Sequence, residues 1–306
     1  MKSRRGSGDA ATGQRGDKRL SARVSALPRP HIPLVTLLTD FGNSDYFVGA
    51  VKGVILSSNP AVHIVDITHE IPPQDIEAAA FTLLVAYSSF PPETIHVAVV
   101  DPGVGSSRRA LLIKTSDRFF VGPDNGIFSF VCDREADLGA TPQVFELTNS
   151  KYFRHPVSAT FNGRDVFAPV AAALSQGIKP GEMGRAITSI VRLPPLRPEP
   201  SRDGRIMGRI IHIDRFGNCV TNLTQNELTP EMIAGGAKLQ VRKKKVSSFR
   251  SYFSEKTKSD EKVFGVWGSA GFLEIAISNG SAAKFLQIKR GDAVMITRTP
   301  HQNRER

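Results

Sequence analysis

Apolar runs alternate with segments of helical period in the first half of the chain, and this alternation constrains the fold more than any other feature. The run 34–39, LVTLLT, carries no charged residue and fits a strand buried on both faces, as in a parallel sheet. The segments 62–67 (VHIVDI) and 95–100 (IHVAVV) predict two further strands. Between these strands lie YFVGAVKGVILSS and PPQDIEAAAFTLLVAY, whose roughly helical period predicts two helices. Strand–helix alternation predicts a parallel α/β sheet, which RALLIKT and RFFVGP would extend.

The segment 193–200, LPPLRPEP, contains four prolines and cannot form a regular helix or a central strand. The residues after it form short alternating runs separated by turns, which is typical of a small all-β barrel or sandwich. We therefore predict an N-terminal parallel-sheet α/β domain followed by a smaller C-terminal all-β barrel domain. The predicted divisions are a disordered basic tail (1–31), the α/β domain (32–192), a Pro-rich linker (193–204), the barrel (205–298) and a tail (299–306).

Most of the formal net charge of +11 lies outside the predicted domains. The segment 1–31 has eight Lys/Arg and two acidic residues, and 298–306 has three and one, so only +3 remains between them. This distribution argues against a basic nucleic-acid-binding face. The longest apolar stretch is too short to span a bilayer, and the N-terminal segment lacks the apolar core of a secretory signal. Cys132 and Cys219 have no CxxC spacing, which fits a reducing compartment. We expect a cytoplasmic protein without membrane contact.

Two of the predicted strands end in an aspartate. Asp40 follows the first strand and Asp101 the third, each with a glycine within two residues. Ligands bind beyond the carboxyl ends of the strands in open parallel sheets, and a carboxylate there can accept two hydrogen bonds from a vicinal diol such as ribose. Helix capping or an Asx turn would explain either aspartate alone. Equivalent positions on two strands favour a binding site.

The segment 101–109, DPGVGSSRR, is rich in glycine but matches neither GxGxxG nor the phosphate loop. Of two adjacent strand residues one points inward, so either Arg108 or Arg109 is expected to face Asp101, unless both form surface ion pairs. The segment 122–126, GPDNG, is predicted to be a turn by its composition.

The segment 160–165, TFNGRD, precedes the apolar run VFAPVAAAL. Asn-Gly between strands is usually a hairpin turn, but here the pair leads into a predicted helix. Asp165 would then cap that helix or complement its dipole. Asn162 is left with two interpretations, one as a turn residue and one as a side chain of a functional site.

The segment 213–223, IDRFGNCVTNL, places Asp214, Phe216 and Asn218 on one short loop. A phenylalanine can stack on a flat ring, and asparagine, which is both donor and acceptor, can bind an adenine edge. The alternative is a structural loop with a buried phenylalanine.

Motifs of metal sites and of serine hydrolases are missing from the sequence. It has no HExxH, no His/Cys metal spacing and no GxSxG. His69 and Glu70 are adjacent rather than spaced as ligands on one helix face, so we expect them to make local hydrogen bonds. The basic run 242–245, RKKK, is expected to be a solvated face. We predict no metal site.

Seven motifs in order resemble those of one known family, the S-adenosylmethionine (SAM) hydrolases or SAM hydroxide adenosyltransferases, which are related to the fluorinating and chlorinating SAM enzymes. The motifs are LLTDFGNSDYFVGAVKG, VDITHEIPPQDIEAAAF, VVDPGVGSSRR, GPDNG, TFNGRDVFAP, IDRFGN and GSAGFLEIA. The resemblance implies an α/β domain, a C-terminal β-barrel and homotrimers with sites between subunits. It also implies hydrolysis of SAM to adenosine and L-methionine by water attacking the ribose C5′, with no metal or other cofactor.

The resemblance also assigns roles to single residues. It implies that Asp40 holds the ribose hydroxyls and that Asp101 and Arg108 belong to the group that activates water. In the barrel it implies that Asp214 binds the methionine amino group and that Phe216 and Asn218 hold adenine. Ser269, in the GSAGFLEIA motif, would bind the methionine carboxylate, and Glu274 of the same motif is expected at the substrate.

Two positions separate the possible activities. The halogenating relatives have an uncharged residue at the position of Asp101, and a carboxylate there would repel a halide, so Asp101 favours water as nucleophile. The hydrolases usually have histidine at the position of Asn162, which we place in the catalytic set with Asp101 and Arg108. Asparagine can hydrogen-bond water but carries no proton near neutral pH. SAM hydrolysis is therefore the first hypothesis, with a non-catalytic SAM or adenosine binder and a halide-dependent SAM-cleaving enzyme as alternatives.

Overall fold

The computed structural model describes residues 32–200, 205–255 and 261–297. The predicted tails 1–31 and 299–306 and the end of the predicted linker, 201–204, lie outside the described residues. Within the described ranges, no helix has the length and apolar character that a membrane span requires.

The N-terminal part contains a seven-stranded sheet. Its strands are β1 Leu34–Thr39, β2 His63–Thr68, β3 Ile95–Val99, β4 Ala110–Lys114, β5 Phe119–Pro123, β6 Gln143–Leu147 and β7 Gly184–Ile187. Their order is β2-β1-β3-β5-β4-β6-β7. The pairs among β2, β1, β3 and β5 are parallel, as predicted. The pairs β5–β4, β4–β6 and β6–β7 are antiparallel, so the sheet is mixed and the purely parallel expectation holds for its first four strands.

Helices cover both faces of this sheet. They are α1 Phe47–Ser58, α2 Ile76–Ala86, α3 Ser129–Asp137, α4 Ala168–Ser175 and the short α5 Pro180–Met183. Val35 and Leu37 of β1 pack in a core with α1 and α4, whereas Leu38 packs in a second core with α2 and α3. Successive strand residues point to opposite faces, so an unbroken apolar run such as β1 can serve both cores.

The C-terminal part forms a second, nearly closed sheet. Its strands are β8 Glu199–Pro200, β9 Ile206–Ile213, β10 Cys219–Thr221, β11 Lys238–Val241, β12 Lys244–Val246, β13 Ser248–Arg250, β14 Val263–Trp267, β15 Leu273–Ile277 and β16 Ala293–Thr297. The order is β12-β11-β16-β9-β10-β15-β14-β13, with β8 paired to β9. Two short helices, α6 Pro230–Ala234 and α7 Ala282–Leu286, lie between strands. The predicted order of an α/β domain and a β-barrel is confirmed.

The two sheets meet where α2 lies against the barrel. The ring of Phe81 on α2 packs at a tilt against the rings of His212 and Phe272, with centroid distances of 5.3 and 5.8 Å. Two leucines of the proline-rich segment, Leu193 and Leu196, pack against the same small core. That segment therefore lies on the protein rather than extending freely between its two parts.

Candidate active site

Asp40 lies at the carboxyl end of β1, where three backbone contacts fix the chain. Its Oδ2 accepts a hydrogen bond of 2.8 Å from the Gln74 N–H. The Phe41 N–H donates to Thr39 Oγ1 at 3.2 Å, and the Gly42 N–H donates to the His69 carbonyl at 2.8 Å. Gly42 has φ +67°, which a residue with a Cβ rarely adopts. The turn after β1 is thus held by the loop that follows β2.

Asp101 and Arg108 form a buried pair beyond β3. Arg108 Nε donates to both carboxylate oxygens, at 2.8 and 2.9 Å, and Nη2 donates to Oδ2 as well. The two side chains are only 6% and 11% exposed. Charge-assisted, multiply bonded pairs of this kind are strong and have a well-defined geometry. Arg108 is therefore the inward member of the two arginines, and the interpretation of this pair as a surface ion pair is wrong.

Asn162 extends this pair to a third side chain. Its Oδ1 accepts a hydrogen bond of 2.6 Å from Arg108 Nη2, and its Nδ2 donates to the Ser158 carbonyl at 3.1 Å. Asn162 directly precedes a π-helical turn, Gly163–Phe167, that continues into α4. The hairpin interpretation of Asn-Gly is wrong, because the pair begins a helical segment. Such π-helical turns occur frequently at functional sites.

Asp165 supports the same turn from inside the protein. Its fully buried carboxylate accepts hydrogen bonds from Arg164, Arg154 and the Ser158 N–H. Burial alone would raise the pKa of Asp165, but these hydrogen bonds, that of Arg164 first, outweigh it and lower the pKa. The carboxylate thus binds two arginines and the preceding loop. The sequence had suggested instead that Asp165 would cap the helix or complement its dipole.

Glycine lets two of the site loops approach each other. Gly105 has φ +79°, and a Cβ there would lie 2.3 Å from the Ala159 carbonyl oxygen. A Cβ placed on Gly163 would lie 3.4 Å from the ring of Phe41. The rings of Phe41 and Phe161 have centroids 5.9 Å apart. These contacts bring the turns that carry Asp40, Asp101 and Asn162 to one edge of the sheet.

The GPDNG segment, residues 122–126, supports the Asp101–Arg108 pair in addition to forming a turn. Asn125 Nδ2 donates a hydrogen bond of 2.8 Å to the Val100 carbonyl, directly before Asp101. The buried Asp124 accepts from Arg109 Nε at 2.7 Å and from the Val191 N–H at 2.8 Å. Arg109 is therefore directed away from Asp101, which leaves Arg108 to pair with it. The sequence analysis missed this supporting role, although the adjacent acidic and amide side chains of Asp124 and Asn125 in the turn motif were a visible signal.

We call Asp40, Asp101, Arg108 and Asn162 the N-terminal cluster. The predicted residues of the second part form another group, the barrel cluster, which consists of Asp214, Phe216, Asn218, Ser269 and Glu274. Among the described residues, no hydrogen bond or ion pair joins one cluster to the other. Each cluster belongs to its own sheet.

In the barrel cluster, Asp214 and Asn218 close the loop between β9 and β10. Asp214 Oδ1 accepts from the Asn218 N–H at 2.8 Å, and Oδ2 accepts from Asn218 Nδ2 at 2.9 Å. Gly217, with φ +86°, lies between them and contacts Ser281 so closely that a Cβ would clash. Phe216 at the loop tip is 76% exposed, so the interpretation as a loop around a buried phenylalanine is wrong. The loop presents a ring face and leaves Asn218 Oδ1 as an acceptor.

Ser269 and Glu274 lie beside this loop. Ser269 is exposed on the turn between β14 and β15, and Glu274 on β15 pairs in register with Val220 of β10. A Cβ on Gly268 would lie 2.0 Å from Glu274 Oε1, so the Glu274 carboxylate packs directly against the backbone of this turn. Burial, together with the charge of Asp214, raises the pKa of Glu274. The barrel cluster thus combines two carboxylates with an exposed aromatic ring.

Two family models match most of the chain. The model of the SAM hydroxide adenosyltransferase N-terminal domain matches residues 35–184, and the model of its C-terminal domain matches residues 208–295. The chain belongs to the SAM hydroxide adenosyltransferase family. The matched ranges cover most of each sheet and contain every residue of both clusters.

Relatives with known names divide into two groups. A protein of Salinispora tropica named (R)-S-adenosyl-L-methionine hydrolase is 35% identical over 272 residues, which cover 87% of this chain and 98% of the relative. A fluorinase of an Actinoplanes species is 26% identical over 302 residues and covers 89% of this chain and 100% of its own. A crystal structure of an uncharacterized conserved protein from Thermotoga maritima superposes with a TM-score of 0.77 at 34% identity, over 86% of this chain and all of its own. In sequence, this member of the family is thus more similar to the hydrolase than to the fluorinase.

Proposed function

We propose that this protein hydrolyses SAM to adenosine and L-methionine. The observation that carries the proposal is the buried contact of Asp101 with Arg108 and Asn162 at the carboxyl edge of the sheet. Membership of a family whose relatives at 35% identity are named SAM hydrolases supports it.

The chemistry needs little beyond positioning and a proton acceptor. SAM is a sulfonium, so its C5′–S bond breaks with the electron pair leaving on the neutral sulfur of methionine. A water oxygen forms the new bond to C5′, and its proton passes to Asp101 and then to solvent. Arg108 holds the Asp101 carboxylate in place and stabilises the developing hydroxide. In this proposal SAM itself supplies the reactive group, so neither a metal nor another cofactor takes part.

Asn162 has a limited part in this scheme. Its Oδ1 is occupied by Arg108 and its Nδ2 by the Ser158 carbonyl, and an amide does not titrate near neutral pH. Asn162 therefore orients the guanidinium instead of moving a proton. Within this buried set of three side chains the base is then Asp101, because Arg108 and Asn162 do not accept a proton near neutral pH.

The remaining residues of the two clusters would bind the substrate. Asp40 would accept hydrogen bonds from the ribose hydroxyls through its free oxygen, and Phe216 would stack on adenine. Asn218 would accept from the adenine amino group. In the rest of the barrel cluster, Asp214 would bind the methionine ammonium, Ser269 would bind its carboxylate, and Glu274 would lie at the substrate near Asp214.

One SAM molecule must touch both clusters, and we place it between subunits of a homotrimer, with the N-terminal cluster of one subunit facing the barrel cluster of the next. The 76% exposure of Phe216 supports this arrangement, because a large exposed aromatic ring often marks an interface or a ligand site. We place the enzyme in the cytoplasm, which agrees with two free, buried cysteines, Cys132 and Cys219.

The first experiment incubates the purified full-length protein with SAM and measures adenosine and methionine by chromatography. We expect equimolar products from the wild type and none above background from Asp101→Ala. Asp137→Ala serves as the control, because Asp137 pairs with Arg197 on the surface and its side chain is 51% exposed. Folded protein that binds SAM but releases no adenosine would refute the proposal and would favour a non-catalytic binder, the function that Asn162 leaves open.

A complementation experiment tests the shared site. Asp101→Ala lacks the N-terminal cluster's base, and Phe216→Ala combined with Asp214→Asn lacks the barrel cluster. Each variant alone is expected to be nearly inactive, whereas co-expression in equal amounts would restore about a quarter of the sites in a ring with heterologous contacts. Absence of any restored activity in mixed oligomers would place both clusters of a site in one subunit.

A further inference from the structure

The backbone contact that holds Asp40 comes from an unusual turn. Gln74, whose N–H donates to Asp40 Oδ2 at 2.8 Å, has φ +66°, a conformation that costs energy in a residue with a side chain. The two residues before it, Pro72 and Pro73, carry no N–H of their own. The turn closes through the Asp75 N–H, which donates to the Pro72 carbonyl at 3.0 Å. A strained turn persists only where its surroundings hold it, so the groups that fix Asp75 matter.

Asp75 is fixed from two sides. Its Oδ1 accepts a hydrogen bond of 3.0 Å from the Ala78 N–H and so caps α2. Its Oδ2 accepts a hydrogen bond from Nη1 of Arg290, which belongs to the barrel and lies 215 residues away in sequence. The Asp75 side chain is 16% exposed in this pair and that of Arg290 36%. An ion pair with one partner mostly buried fixes geometry better than a solvated pair does.

The barrel in turn holds Arg290 in place. Arg290 lies in the turn before β16, where Gly291 has φ +88° and its N–H donates to the Ile210 carbonyl of β9 at 2.8 Å. The next residue, Asp292, donates its N–H to the Lys289 carbonyl at 3.1 Å. The guanidinium therefore extends from a turn anchored on a central strand of the barrel.

From this continuous set of contacts we infer that Arg290 is a positioning residue for Asp40. Through Asp75 it fixes the 72–75 turn, so that the Gln74 N–H holds the Asp40 carboxylate in the orientation that binds a vicinal diol. The barrel thereby contributes to ribose recognition by the other part of the same chain. This inference rests on the proposed role of Asp40 in binding SAM.

A second ion pair between the same helix and the same barrel provides a matched control. Arg209 of β9 bonds Glu77 of α2 at 2.7 Å, with side chains 28% and 27% exposed. Glu77 lies within the first turn of α2, beyond the 72–75 turn. Replacing Arg209 by glutamine removes a comparable charge and contact from the interface without touching the residues that hold Gln74.

The first test measures hydrogen exchange of the full-length protein without ligand. Within 72–75 only Gln74 and Asp75 carry an amide hydrogen, because proline has none, so a peptide across this turn reports on those two sites. We expect Arg290→Gln to accelerate this exchange by about threefold to tenfold. Arg290→Lys, which keeps the charge, should restore part of the protection, and Arg209→Gln should leave it unchanged.

Unchanged exchange in Arg290→Gln, or equal acceleration in Arg209→Gln, would overturn the inference. This readout does not depend on turnover, so it decides the inference even if the protein forms no adenosine. Failure of the proposed function would instead appear as missing product from wild-type protein, while the exchange pattern is unaffected.

The second test is a double-mutant cycle with SAM as substrate. We expect Arg290→Gln to raise KM by about threefold to tenfold in the wild-type background and to have almost no effect in Asp40→Asn, since coupled residues are not additive. Arg209→Gln should have the same small effect in both backgrounds. Independent, additive effects of Arg290→Gln and Asp40→Asn would contradict a role exerted through Asp40.

Discussion

Removing the side chain of Asn162 separates orientation of Arg108 from proton transfer. In Asn162→Ala the guanidinium keeps its contacts with Asp101 through Nε and Nη2 but loses the 2.6 Å hydrogen bond to the amide oxygen. The positive charge beside Asp101 stays, and the residues proposed to bind the substrate, Asp40 and the barrel cluster, are unchanged. The variant therefore tests whether a fixed guanidinium is needed in addition to its charge.

The expected decrease in kcat of Asn162→Ala follows from the type and burial of the lost hydrogen bond. A hydrogen bond to a charged group contributes about 1.5–3 kcal/mol. Asn162 is half-buried, so water can enter and replace part of the contact, which places the loss in transition-state stabilisation at about 1–2 kcal/mol. This corresponds to a roughly fivefold to thirtyfold decrease in kcat. We expect KM to change by less than about threefold, because Asn162 orients Arg108 and not SAM.

The assay is adenosine release at saturating and limiting SAM between pH 5 and pH 9, with Asn162→His beside Asn162→Ala. A neutral imidazole can accept the bond from Arg108, so Asn162→His should match or exceed wild-type activity above pH 7. Once protonated it has no acceptor and repels the guanidinium, so its activity should fall with acid around or below the ordinary histidine pKa of about 6.5. An Asn162→Ala enzyme with wild-type kcat, or one altered in KM alone, would refute the orienting role.

Three further predictions concern Asn125, Asp165 and the two cysteines. Asn125→Ala removes the 2.8 Å hydrogen bond to the carbonyl before Asp101, so kcat should fall about threefold to tenfold with KM unchanged; a change in KM alone would speak against it. Asp165→Asn should unfold more easily by about 1–3 kcal/mol at pH 7. Because the pKa of Asp165 is lowered in the folded state, this difference from wild type exists above about pH 4 and should shrink as pH falls through the folded-state pKa, which urea titrations at pH 7 and pH 3 can measure. Burial raises the pKa of Cys132 to about 11 and that of Cys219 to about 12, so neither should react with a thiol reagent at pH 8 until urea unfolds the protein.

The parallel pairing of β1, β2 and β3 was predictable from the sequence, whereas the antiparallel pairs of β4, β6 and β7 contradict the expected purely parallel sheet. Unbroken apolar runs such as β1 identify strands buried on both faces, and the helices between them require parallel neighbours. An apolar run carries no sign of its direction. The connection between β4 and β5 has only the residues 115–118, which suffices for a hairpin but not for a crossover. Connection length, and not strand composition, was therefore the signal for the antiparallel β4–β5 pair.

The contacts of the candidate site were predictable where they are made by side chains of the sequence motifs. The spacing from Asp101 to Arg108 and the ordered motifs predicted a cluster that the fold brings together. The supporting contacts were hidden, because Gln74 acts through its backbone N–H and Arg290 acts from the far end of the chain. A backbone donor has no identity in a sequence, and a pair separated by 215 residues has no local pattern. Only the folded chain shows that these groups meet Asp40 or its neighbours.

The choice between water and halide follows from how Arg108 is engaged. A halide needs a site with uncompensated positive potential, whereas the Arg108 guanidinium already binds Asp101 through two nitrogens and Asn162 through one of them. An anion that replaced water near Asp101 would face a carboxylate a few ångströms away, at a cost of about 4 kcal/mol for unit charges 4 Å apart near a protein surface. Water has no such cost, and it gains a proton acceptor from the same carboxylate. In the proposed function, the Asp101 carboxylate thus both disfavours an anionic nucleophile and accepts the proton of water, so that hydrolysis does not require a titrating group at position 162.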